Sequence, residues 1–121
     1  VIKFSKRLKI PTYNCEINII ITDEICKEVN KIYKKHKQNE IFNDTVEGIV
    51  ITIDLNTYYL LLDTKYLTHN TIAHEVYHSI VRVTGDRGIE EEEAQAWLGG
   101  HMTSEIYKFI EKKKLIVTHG R

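Results

Sequence analysis

Hydrophobic and polar positions alternate over Val1 to Lys9, with basic residues at the polar ones, which fits an edge strand or frayed start ahead of the only proline, Pro11. Over Tyr13 to Thr22 the alternation puts Cys15, Ile17 and Ile19 on one face and predicts a second strand. The period then lengthens. Thr22-Asp23-Glu24 opens a helix whose buried side is Ile25, Val29, Ile32 and Tyr33, with Cys26 adjacent and Lys27, Lys31, Lys34, Lys35 and Lys37 on the wet side. Gln38 to Thr45 is polar and reads as a loop. Gly48 to Ile53 and Thr57 to Leu62 are β-rich runs separated by Asp54-Leu55-Asn56, which predicts a hairpin leading directly into the next helix.

The second half of the chain is helical in pattern. Ile72, Ala73, Val76, Ile80 and Val83 give one helix an apolar side, with Thr68 or Asn70 as its start and Gly85 as its end. A second helix is expected from about Ile89 to Lys113, offering Trp97, Leu98, Met102, Ile106, Phe109 and Ile110 to the core. Lys112 to Lys114 suit the negative end of its dipole. Leu115-Ile116-Val117 is left for a short strand or an interaction segment. The pattern as a whole is α+β.

Composition narrows the class. A chain of 121 residues, 42% hydrophobic, makes one domain over residues 1–121 with a modest core. Its 17 basic and 17 acidic residues cancel, so charge alone gives no reason for nucleic-acid or membrane attraction, and no nucleic-acid motif is present. With no apolar run long enough to span a bilayer and no signal-peptide pattern, an intracellular location is expected. Cys15 and Cys26 fit that location as free thiols.

The chemistry lies in Thr71 to Val81, which contains His74-Glu75-x-x-His78. Residues four apart on a helix stand one above the other, so His74 and His78 can aim two imidazoles at one metal ion. Glu75 lies about 100° further round, suited to a water rather than to the ligand pair. The plain alternative is an amphipathic helix whose histidines bond to neighbours or water, but two imidazoles and a carboxylate packed together need a reason. A catalytic zinc site requires a third protein ligand. The metzincin pattern is excluded, because Val81 and Thr84 occupy its glycine and histidine positions. Asp86 falls in a turn, Gly85-Asp86-Arg87-Gly88. Of the four glutamates Glu90 to Glu93, which by default suit a helix N-terminus, Glu93 is preferred, since Ala94, Ala96, Gly99 and Gly100 would let its helix come close to the first.

Thr-Ile-Ala-His-Glu-x-x-His (Thr71 to His78) together with Glu-x-x-Ala (Glu93 to Ala96) resembles the gluzincin group of zinc metallopeptidases. The short spacing is most similar to small metallopeptidases encoded by bacteriophages and mobile elements. The resemblance covers Thr71 to Gly100. It implies a minimal zincin-like domain: a small mainly antiparallel sheet, an active-site helix carrying the histidines, and a following helix carrying the third ligand. It further implies zinc on His74, His78 and Glu93, Glu75 as general base, and a zinc metalloendopeptidase acting on a peptide or protein, in the host cytoplasm if phage-encoded. One departure is Trp97, where many relatives have Asn or Asp after the alanine. His101 and Tyr77 are candidates to support the ligands or stabilise an oxyanion. An extended substrate is expected to add to the hairpin's edge strand, to which Tyr58 is assigned. The alternative is a catalytically silent, zinc-stabilised phage structural or host-binding module, compatible with a place in the virion, its metal closed by His101 or Asp86.

Overall fold

The alternating N-terminal residues form two antiparallel strands, β1 (Lys3–Ile10) and β2 (Cys15–Thr22), joined by a 3-10 turn at Pro11–Tyr13. In this computed structural model residues 1–119 are described. The Thr22 hydroxyl accepts from the Glu24 amide at 3.1 Å at the entry to α1 (Ile25–Lys35), which buries Ile25, Glu28, Val29 and Ile32. Glu28 breaks the expected pattern, because it is a buried carboxylate. Lys3 of β1 reaches it at 2.8 Å and Lys31 at 3.4 Å, tying the first strand to the first helix. Burial disfavours its charge, but the hydrogen bonds and charges of the two lysines outweigh that and hold its pKa below the usual carboxylate value.

The predicted hairpin is β3 (Gly48–Asp54) and β4 (Thr57–Asp63), and β4 inserts parallel to β2 to give the order β1-β2-β4-β3. Two of the three ladders are antiparallel, and the fold is α+β. Position explains composition here. β4 is interior and covered on both faces, so it reads as an unbroken buried run rather than an alternating one. Tyr58 is therefore not an edge residue as expected from sequence; it is fully buried in β4, and the free edge beside the helices belongs to β3.

One face of the sheet packs Ile17, Ile19, Leu60 and Leu62 against α2 (His69–Asp86) and α3 (Glu92–Lys112), through Ile72, Val76, Leu98, Met102 and Ile106. The other packs Ile20, Ile51, Tyr59 and Leu61 against α1. Thr68 caps α2, its hydroxyl accepting from the Thr71 amide at 3.0 Å. The helix passes through Gly85, and the reversal is made at Gly88, whose φ of +65° suits a residue without a Cβ. α3 then starts at Glu92 rather than near Ile89. Ala73 faces solvent instead of the core, and Trp97 is half exposed. The strand expected at Leu115–Val117 reduces to a single bridge, Thr68 with Thr118. None of the described helices is long and apolar enough to cross a membrane.

Tyr58 joins the interior strand to the α2–α3 turn. Its hydroxyl donates to Asp86 Oδ2 at 2.6 Å and accepts from Arg87 Nη1 at 2.9 Å. Arg87 also donates to the carbonyls of Tyr13 and Leu55. Burial and the bond to Asp86, opposed by Arg87, push the phenol pKa up to about 12. The proton is thus held more tightly folded than unfolded, so its stabilising contribution is complete below about pH 10 and is lost as pH rises towards about 12. Tyr58→Phe should lower stability by about 1–2 kcal/mol at neutral pH and remove this component of the alkaline decline. Urea titrations of both proteins across that range check it.

Candidate metal centre

The middle of α2 places the two histidines together. His74 Nε2 and His78 Nε2 are 3.0 Å apart, and the rings meet nearly edge to face. Two nitrogens bound tetrahedrally to zinc at about 2.0–2.1 Å stand roughly 3.3 Å from each other, so the pair needs little adjustment to share an ion. His74, Glu75 and His78 form a compact group, with one potential ligand atom from each lying within 4.8 Å of the others. Burial, the neighbouring His74 and then Arg82 push the His78 pKa down, which keeps its imidazole neutral and able to donate a lone pair at pH 7.

Glu75 differs from its neighbours in burial. His74 and His78 are exposed on α2, whereas Glu75 is 5% exposed, with its carboxylate 3.9 Å from His74 Nε2. Burial raises its pKa, with His74 and Arg82 acting in opposition. A carboxylate shifted in that direction is a better proton acceptor than one at its ordinary value.

The space for Glu75 depends on Gly48, the first residue of β3. A Cβ there would lie 2.7 Å from Glu75 Cγ, 3.1 Å from Cδ and 3.1 Å from the Leu61 carbonyl oxygen. Between the start of β3 and the first turns of α2 runs a cleft of about 380 Å³, lined by Glu47, Gly48, Asn70, Thr71, His74 and Glu75 among others. The Thr71 hydroxyl donates to Glu47 Oε1 at 3.4 Å across its end.

The remaining candidates lie elsewhere. Ile80 Cδ1 would be 2.8 Å from a Cβ on Gly99, and His69 Nδ1 is 2.6 Å from the Tyr107 hydroxyl, so α3 returns antiparallel along α2. Gly99 thus permits the close approach expected of it, while Gly100 faces open space. The same geometry puts the first turn of α3, with an exposed Glu93, towards the C-terminal end of α2. Glu93 is not in the compact group with the histidines. His101 stacks on Trp97, centroids 5.2 Å apart, and Trp97 meets Tyr13 edge-on. Tyr77 is 64% exposed on the outer side of α2. Two residues at the site escaped the sequence reading, Gly48 and Arg82. Arg82 was findable by continuing the His74, His78 spacing one turn; Gly48 carried no signal apart from opening a β-rich run.

No family model matches the chain, and neither does any curated protein or solved structure.

Gly48→Ala should push Glu75 out of place and destabilise the protein by about 1–3 kcal/mol, while leaving metal uptake by the exposed histidines intact; denaturation beside metal titration checks both. Because the Glu75 pKa is raised, the stability contributed by its proton is full below the unfolded value and is lost as pH rises through the folded one. Chelator-treated Glu75→Gln should accordingly be more stable than wild type at neutral pH, the gap closing towards about pH 4.

Proposed function

We propose that this protein is a zinc-dependent peptidase of gluzincin type. The observation that carries the reading is the pairing of two exposed imidazole nitrogens 3.0 Å apart with a carboxylate buried beside them, at a cleft opening on a free strand edge. The donor set fits zinc, since two imidazoles with a carboxylate in reach are borderline ligands of the kind it takes. His74 and His78 would hold the ion, and Glu93 is proposed as the third donor on its motif spacing rather than its position. Zinc supplies, when bound, a Lewis acid that polarises a carbonyl and acidifies water.

The work of the chain's own residues follows from their surroundings. Glu75, buried and poised as a base, takes a proton from the attacking water and passes it to the leaving amine. Gly48 leaves room for that carboxylate, and the wall formed by α2 and β3 limits water around it. The backbone edge of β3 offers an extended peptide main-chain partners. The closed-clamp alternative would need Asp86 or His101 as a further ligand, yet Asp86 accepts from Tyr58 and His101 lies against Trp97. A clamp also gives no role to a buried Glu75.

The expected results are separable by variant. Glu75→Gln should keep zinc and lose hydrolysis of a mixed peptide pool by a factor of at least about 10². His78→Ala should lose zinc, and Glu93→Ala should weaken it. Metal analysis with mass-spectrometric detection of cleavage checks all three, and undiminished turnover in Glu75→Gln would end the mechanism.

A further inference from the structure

Arg82 continues the row begun by His74 and His78, four residues further along one stripe of α2. Its Nη1 donates to the Val50 carbonyl at 2.5 Å. That carbonyl lies on the side of β3 away from β4, and in an antiparallel strand alternate residues present their polar groups to the same side. Gly48, against Glu75, and Val50, against Arg82, therefore lie along one margin of β3, with about 6.6 Å of strand between them. Arg82 lines a second cavity of about 270 Å³ along Ile49–Ile53, together with Tyr33, Gln38 and Glu40.

An arginine is a planar, permanently charged fork shaped for a carboxylate. Here it is given one neutral backbone acceptor, at the edge where an extended peptide would pair. Its charge is felt at both Glu75 and His78, which places it within electrostatic reach of the reacting groups. A bond to a carboxylate is about twice as strong as one to a neutral carbonyl, so exchange of partners is favourable. Leaving Val50 would also free its carbonyl to accept from the substrate backbone.

Building on the peptidase reading, we propose that Arg82 is the specificity-determining residue of this site, binding a substrate carboxylate about two residues from the bond that is cut. The carboxylate can be a chain terminus or an acidic side chain. Glu40, which lines the same cavity as Arg82, works against a second anionic residue there.

The test uses zinc-loaded Glu75→Gln protein, so that peptides bind without being consumed. Calorimetry would compare short Ala/Leu peptides made as free acids and as C-terminal amides, and a series with one Glu or Gln stepped through each position. At one position the carboxylate should bind about tenfold more tightly than its neutral counterpart, and adding Arg82→Gln should erase that difference while Arg82→Lys keeps part of it. Preference for free acid over amide assigns the terminus; preference for Glu over Gln assigns a side chain. The inference is overturned by absent binding, by equal affinities, or by a preference that survives Arg82→Gln. A lowered melting temperature in that variant with discrimination unchanged would make Arg82 a strut for β3 and overturn it too. Failure of the peptidase reading would look different: wild type leaves the same peptides uncut although the carboxylate preference stands.

Discussion

Burying a carboxylate disfavours its charged form unless something neutralises or uses it, and Glu75 is buried between α2 and the first residue of β3. Much of the local design serves that placement. Gly48 lacks the Cβ that would occupy the same space, and β3 is held at the right height by its ladder to β4. β4 in turn is fixed from both faces by the two cores. The neighbouring His74 and Arg82 oppose the burial without cancelling it, leaving the pKa raised. The raised pKa and the adjoining cleft are what support the proposed role of Glu75 as a base.

The sheet topology decides what can reach Glu75. Because β4 inserts beside β2, the hairpin's other strand is left at the margin, and the margin is where α2 lies. The three α2 residues spaced at helical intervals, His74, His78 and Arg82, then run beside the outer edge of β3. One helix thus sets the candidate metal ligands and Arg82 beside one strand edge.

Local patterns carried much of this into the sequence. The period-two run Cys15, Ile17, Ile19 and the helical run Leu98, Met102, Ile106, Phe109, Ile110 face the core as their spacing predicts. The three-residue group in α2 follows from helix geometry alone. What the sequence conceals is tertiary. Tyr58 looks like any alternating strand residue, and only the parallel insertion of β4 makes it interior. Glu28 looks solvated until Lys3 arrives from a distant strand. Glu93 sits exposed in the first turn of α3, and only its motif spacing singles it out among the four glutamates. Gly48 matters only because a side chain remote in sequence occupies the place of its missing Cβ.

The coordination of zinc bears most directly on whether these side chains make an open catalytic centre. X-ray absorption at the zinc edge, on protein loaded with one equivalent, reads the ligands without needing a substrate. Two imidazole nitrogens are expected, with oxygen donors completing the set and one of them an exchangeable water. A shell of three or more imidazoles, a sulfur ligand, or a failure to bind zinc at His74 and His78 would contradict it.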